Sequence, residues 1–135
     1  MRLIVSVTLC FSASSLSMEV IVNQSVNSEE LTTAQLRRIY TMRQVSWSDG
    51  SPIVVYMLPS KHPTHQQFSK DVLRIFPYQL DRIWNKLIFS GLGVAPNVVA
   101  TKELLIEKVS SVTGAIGYVD ELEEEGDVQL IIIKE

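Results

Sequence analysis

The chain has 135 residues and a formal net charge of −3, with 12 Lys and Arg against 15 Asp and Glu. This length fits one ordinary domain, and a composition of 46% hydrophobic and 20% charged residues excludes wholesale disorder. The acidic balance argues against a general nucleic-acid binder, because such proteins need a basic surface to neutralise phosphates. It leaves room for a local basic pocket that binds one small anion. No apolar run reaches the roughly 20 residues that span a bilayer.

Residues 1–17 have the three-part layout of a secretory signal peptide. Arg2 gives a positive start, an apolar stretch follows, and small residues precede a cleavage point before Met18. The alternative, a buried first strand, explains neither the flanking Arg nor the small residues. The single cysteine, Cys10, lies inside this segment, so the mature chain would have no thiol or disulfide chemistry. We therefore expect residues 18–135 to form one domain in an envelope compartment, the bacterial periplasm.

The first part of the mature chain predicts a strand, a capped helix and a second strand. Glu19 to Asn23 is rich in β-branched residues and ends at a polar turn. Thr32 and Gln35 have the spacing of a capping box, which fixes the start of a helix. The apolar face of this helix comprises Leu36, Ile39 and Tyr40. After a turn with Asp-Gly and Pro, Ile53 to Met57 predicts the second strand.

Three arginines lie on or just after this first helix, outside its apolar face: Arg37, Arg38 and Arg43. Such a charge run is usually a solvated face. We therefore favour a solvated surface over an anion site for these residues.

Two more helices follow, separated by Pro77. The first begins near Pro63, and its predicted apolar face comprises Phe68, Val72, Ile75 and Phe76. The second has near-ideal spacing of apolar residues and ends within residues 90–93; its face comprises Leu80, Ile83, Trp84, Leu87 and Ile88. We expect Pro77 to end the first of these helices.

The last part of the chain predicts a fourth helix, capped by Thr101, and two strands at Ala115–Val119 and Val128–Ile133. The acidic residues of 120–127 match no calcium loop in their order, which favours a solvated turn over a calcium site. The final strand either completes the sheet or pairs with another chain. Its apolar run, Leu130 to Ile133, predicts burial on both faces. Strands alternating with helices indicate an α/β domain with a single core.

The best candidate for a site is the start of the second helix, where Ser60, His62, Thr64 and His65 cluster. Unpaired backbone N–H groups and the helix dipole favour an anion at such a position, and hydroxyls and an imidazole add donors. Plain capping of the helix is the alternative explanation for the same residues.

The sequence gives little support for a metal site or for catalysis. His62 and His65 are the only histidines, and no cysteine remains after the signal to complete a zinc set, so we predict no metal and no cofactor. The sequence contains no Gly-x-Ser-x-Gly elbow and no Gly-rich phosphate loop that ends in Lys-Ser/Thr. We therefore do not expect an enzyme.

The order of several segments resembles the phosphate-binding periplasmic component of phosphate ABC transporters, and most closely its short single-lobe relatives. The segments span residues 19 to 119; they are Val20-Ile21-Val22-Asn23, Leu31 to Tyr40, Trp47-Ser48-Asp49-Gly50, Phe68, Trp84, Phe89-Ser90-Gly91 and Thr113 to Val119. The resemblance implies a single lobe of a type II periplasmic-binding-protein-like fold, with about four helices around a small mixed sheet. In complete members two lobes close on a phosphate that hydroxyls, backbone N–H groups, an Arg and an Asp hold without metal.

The resemblance also locates the family's phosphate motif. The Ser-Gly-Thr-Arg helix start of the family aligns with His62-Pro63-Thr64-His65, so only Thr64 is retained. Pro63 lacks the N–H that glycine offers, and a neutral His65 is a weaker partner for phosphate than a bidentate Arg. The early Gly-Ser/Thr loop of the family has no counterpart here.

Two functions are compatible with these residues. The first is an envelope module that binds phosphate or a similar oxyanion beside a membrane transporter, through Ser60, His62, Thr64 and His65. If His65 must be charged, affinity should rise as the pH falls through about 6.5. The second is an interaction domain that keeps the fold without the ligand and binds another protein or a second copy of itself.

Overall fold

The structure is a computed structural model that describes residues 18–91, 96–123 and 126–135. The predicted signal peptide, residues 1–17, lies outside the described residues. So do the last two residues of the predicted helix end at 90–93 and two acidic residues of the 120–127 segment.

Six strands in the described part of the chain form one mixed sheet, with β1 near its centre. They are β1 (Glu19–Asn23), β2 (Glu30–Thr32), β3 (Val54–Met57), β4 (Asn97–Val98), β5 (Ala115–Val119) and β6 (Val128–Lys134). Their order across the sheet is β2-β6-β1-β5-β3-β4. β1 is antiparallel to both of its neighbours, and the other pairings are parallel. Five strands therefore run in one direction and end at the same edge of the sheet.

Helices cover both faces of this sheet. They are α1 (Thr33–Tyr40), α2 (Pro63–Gln67), a π-helical segment (Phe68–Leu73), α3 (Pro77–Ser90) and α4 (Lys102–Ser111). On one face, the ring of Tyr118 in β5 packs against Tyr40 and Phe68. On the other, a Cβ added to neighbouring Gly117 would lie 2.6 Å from Leu105 of α4, so glycine permits the close approach of that helix. In the described residues no helix is long and apolar enough to cross a bilayer.

The start of α1 confirms the predicted capping box. The Gln35 backbone N–H donates to Thr32 Oγ1 at 3.1 Å, and the Thr32 N–H donates to Gln35 Oε1 at 2.9 Å. The predicted apolar face is also confirmed, because Leu36, Ile39 and Tyr40 are fully buried. Local hydrogen bonds fix where the helix begins, and burial of these side chains fixes which face it turns to the sheet.

The predicted continuous helix from Pro63 to Phe76 is wrong in its second half. After Gln67 the chain continues as the π-helical segment, and Arg74 takes a left-handed conformation with φ 57°. Phe76, placed on the apolar face by the prediction, is 58% exposed and lies outside any helix. The rest of the predicted apolar face is confirmed, because Phe68 and Val72 are buried and Ile75 packs, partly buried, against the core. The restraint that Pro77 places on Phe76 adds to the break.

The apolar face predicted for α3 is confirmed at its N-terminal half and wrong at Ile88. Leu80 and Trp84 are buried, whereas Ile88 is 52% exposed and Phe89 is 90% exposed. α3 contacts the π-helical segment, and Leu87 near its end still packs, partly buried, against the core.

β6 completes the sheet between β2 and β1, which answers the question that the sequence left open. The predicted burial on both faces is wrong, because Leu130 is 41% and Ile132 is 63% exposed. α4, the described helix on that face, packs mainly on β1 and β5. A helix is about 10 Å wide and strands are about 4.8 Å apart, so one helix covers roughly two strands. β6 therefore lies mostly outside the area of the sheet that α4 covers.

Candidate functional site

The carboxyl ends of the parallel strands form the most promising edge of the molecule. β3 and β4 pair in parallel, with Met57 opposite Val98, and the Val99 N–H donates to the Met57 carbonyl at 2.9 Å. β3 leads into α2 and β4 leads into α4, so two helix starts follow adjacent strands. Ligands of open α/β sheets bind at this edge. We call residues 59–64 and 99–102 the carboxyl edge.

The start of α2 is closed by its own cap. His62 is the N-cap residue, and its Nδ1 accepts a hydrogen bond from the Thr64 backbone N–H at 3.2 Å. Pro63, in the first turn, has no N–H to offer. The side chain of His62 therefore takes a backbone donor that a bound anion would otherwise use, as the capping alternative predicted.

His65 lies in the core beneath this helix start and is fully buried. Its Nδ1 makes a short hydrogen bond with the hydroxyl of Tyr118, and the same hydroxyl accepts the Leu58 backbone N–H at 3.0 Å. The other imidazole nitrogen, Nε2, has no partner among the described residues.

Burial keeps this cluster uncharged. It lowers the pKa of His65, and nearby Asp81 opposes that shift only in part. Burial raises the pKa of Tyr118 far above neutrality, against the Leu58 N–H, which lowers it. The pKa of Tyr40 is raised too, first by burial and then by Tyr118. The three side chains are therefore neutral at physiological pH, and they hold the core together rather than carrying charge to a ligand.

The start of α4 lies beside the start of α2, and its lysine is paired with an acidic side chain of its own. Thr101 caps it, accepting the Leu104 N–H at 3.2 Å, as the sequence predicted. Lys102 pairs with Asp120 at 3.1 Å. Burial raises the pKa of Asp120, but hydrogen bonds from Lys102 and the Glu121 N–H outweigh burial and lower it. The positive charge of Lys102 is thus already neutralised.

Of the four predicted site residues, three reach the carboxyl edge. Ser60 is exposed, and His62 and Thr64 are partly exposed, whereas His65 is withdrawn into the core. The sequence analysis missed Lys61, which is exposed beside Ser60 and makes no ion pair in the part of the chain that the structure describes. Its position between two candidate residues was the available signal. In the same described ranges no His, Cys, Asp or Glu cluster could hold a metal.

The fold that carries this edge is an α/β domain, a six-stranded mixed sheet with helices on both faces. No family model and no characterised protein matches the chain by sequence. Solved structures do match it. A protein named as a phosphate ABC transporter substrate-binding protein with bound phosphate, from Clostridium perfringens, superposes with a TM-score of 0.68 at 19% identity. The match covers 87% of this chain and 46% of that one.

Two further structures agree. An ABC-type phosphate transport receptor from Vibrio cholerae matches with a TM-score of 0.66 at 17% identity, over 88% of this chain and 48% of its own. PstS from Borrelia burgdorferi matches with a TM-score of 0.66 at 15% identity, over 87% and 47%. The chain spans less than half the length of these proteins. Identities this low show the fold alone, and at that level the resemblance drawn from the segment order is confirmed.

Proposed function

We propose that this chain is an envelope solute-binding protein that binds phosphate or a related oxyanion at the carboxyl edge. The observation that carries the proposal is the position of the α2 start, directly after β3 and beside the β4–α4 turn. The likeness to phosphate-binding proteins supports the choice of ligand.

The anion would be held by three exposed groups of the α2 start. The hydroxyls of Ser60 and Thr64 donate hydrogen bonds, and Lys61 supplies the positive charge. His62 already occupies the Thr64 N–H, and buried His65 makes no contact with the anion. A site on one lobe is open to water on its other side, so affinity is weak, with a Kd on the order of 1 mM.

The location and the transport role are further parts of the same proposal. The predicted signal peptide supports export to the periplasm, with Met18 as the new N-terminus. A single lobe that binds a transported ion acts beside an ABC-type phosphate transporter. Mass spectrometry of the protein recovered from the envelope tests the first part, because an intact N-terminus at Met1 contradicts it.

Calorimetric titration of the purified protein with inorganic phosphate tests binding, with sulfate as the competing oxyanion. We expect one saturable site that Thr64→Ala weakens by about fivefold, since one net hydrogen bond is lost. Lys61→Gln should weaken it further by removing the charge.

Ser48→Ala is the matched control, because Ser48 is an exposed hydroxyl in the loop before β3. It should bind phosphate as the unmodified protein does. An absence of saturable heat at millimolar phosphate, or equal losses in Thr64→Ala and Ser48→Ala, contradicts binding at the carboxyl edge.

A further inference from the structure

A surface cavity of about 200 Å³ lies between the end of α1, the loop that follows the π-helical segment, and α3. Three of its six lining residues are arginines; the six are Arg37, Arg38, Thr41, Arg43, Ile75 and Ile83. α1 starts at the carboxyl end of β2, and its eight residues extend about 12 Å away from that edge. The cavity is therefore separate from the carboxyl edge.

The backbone at the end of α1 brings Arg43 back beside Arg38. Met42 takes the left-handed conformation, with φ 60°, and its N–H donates to the Ile39 carbonyl at 3.2 Å. The Arg43 N–H then donates to the Arg38 carbonyl at 2.8 Å. This pair of bonds is a Schellman motif, which usually has glycine where this chain has Met42. The turn places Arg43, the third residue after the helix, against the last turn of α1.

The three arginines of this cavity are exposed, as the sequence analysis expected, and none of them is neutralised. Arg37 Nε donates to the Leu73 carbonyl at 2.9 Å, which leaves the terminal nitrogens of its guanidinium available. Across the described ranges, neither Arg37, Arg38 nor Arg43 forms an ion pair with a carboxylate. The negative end of the α1 dipole favours Arg37 and Arg38. It does not account for a third guanidinium on the wall of the same cavity.

We propose that this cavity binds a small phosphomonoester. Such a group carries a charge of about −1.5 to −2 at pH 7 and three acceptor oxygens, which match the planar donors of several guanidinium groups. The volume equals that of about six or seven water molecules, enough for one phosphoryl group and a short organic stem. Ile75 and Ile83 provide an apolar wall for that stem.

The probe is glycerol 3-phosphate, titrated by calorimetry into the full protein. Arg38→Gln and Arg43→Gln are each expected to weaken binding by about tenfold or more, as for a lost charge-assisted hydrogen bond. Lys108→Gln, which removes the same charge from the exposed surface of α4 on the other face of the sheet, should bind as before. Thr64→Ala should also bind as before, so failure of the carboxyl-edge site and failure of this one are distinguishable.

A parallel arm with vesicles of phosphatidic acid, against vesicles of phosphatidylcholine, identifies the source of the phosphomonoester. Arginine-dependent binding to free glycerol 3-phosphate points to a soluble metabolite, and arginine-dependent binding only to phosphatidic acid points to a lipid headgroup. The proposal is overturned if neither probe binds, or if Arg38→Gln and Arg43→Gln bind as Lys108→Gln does. Circular dichroism confirms that each variant is folded.

Discussion

Removing a single oxygen atom from the core, in Tyr118→Phe, should strongly destabilise this protein. The hydroxyl of Tyr118 accepts the Leu58 N–H at 3.0 Å and shares a hydrogen bond with His65 Nδ1. Phenylalanine keeps the ring, which stacks on Phe68 with centroids 3.9 Å apart and an interplanar angle of 10°. The substitution therefore preserves the packing and leaves a buried N–H and a buried imidazole nitrogen without partners.

The expected loss follows from those two orphaned groups. A buried polar group left unsatisfied costs about 1–3 kcal/mol, so the free energy of unfolding should fall by about 2–4 kcal/mol. With an m-value of about 1.5 kcal/mol/M, a loss of 3 kcal/mol lowers the urea midpoint by about 2 M. Urea unfolding followed by the fluorescence of buried Trp47 and Trp84 measures it.

Tyr78→Phe is the matched control, because it removes the same oxygen atom from a tyrosine that is 60% exposed. It should change the free energy of unfolding by less than about 0.5 kcal/mol. In a His65→Leu background, Tyr118→Phe should cost about 1–2 kcal/mol less than in the unmodified chain, because one orphaned group is already gone. Equal effects of Tyr118→Phe and Tyr78→Phe would refute the role given to this hydroxyl.

Three further predictions concern stability. Burial lowers the pKa of His65 in the folded state, so below about pH 6.5 the unfolded chain binds a proton that the folded chain does not. The free energy of unfolding should therefore fall by up to about 2 kcal/mol between pH 7 and pH 5. Urea unfolding measures this loss, which should be absent in His65→Leu. Gly117→Ala should cost about 1–3 kcal/mol, because the new Cβ would lie 2.6 Å from Leu105 and 2.9 Å from Val109; a thermal midpoint unchanged by calorimetry contradicts it. Met42→Gly should raise the thermal midpoint, since glycine relieves about 1 kcal/mol of left-handed strain, and a fall would show that the Met42 side chain matters more.

The parts of the fold that the sequence predicted well depend on near neighbours in the chain. Thr32 and Gln35 are three residues apart, and the capping box between them is the same in the sequence and in the structure. Thr101 caps α4 in the same local way. These hydrogen bonds form within one turn of helix, so residue type and spacing are sufficient to predict them.

The failed predictions depend on packing from elsewhere in the chain. The helix after Pro63 has good α-helical spacing, but Phe68 stacks on Tyr118, fifty positions along the sequence. Contact with that distant ring positions the π-helical segment, and no pattern within residues 63–76 predicts this contact. β6 was likewise predicted to be buried on both faces, because its sequence does not indicate that α4 packs over β1 and β5 instead.

The candidate sites show the same division. The α2 start was a candidate from the sequence because Ser60, His62 and Thr64 lie within five residues of each other. The burial of His65 was not foreseen, since its partner is the hydroxyl of Tyr118, which lies 53 residues later in the sequence. The sequence analysis weighed an anion site at Arg37, Arg38 and Arg43 and favoured a solvated face. It did not foresee the apolar wall of this cavity, because Ile75 and Ile83 come from a later part of the chain.

The place of β6 in the sheet has a consequence for how the chain acquires its structure. Val20 of the first strand pairs with Ile131 of the last, and β2 joins the sheet through β6. Until β6 joins the sheet, one edge of β1 is open and β2 has no strand to pair with. Contacts so distant in sequence form late, since closing a long loop costs entropy before any pairing repays it. Until β6 pairs with β1, the open edge of β1 can pair instead with a strand of another molecule, such as a second copy of this chain.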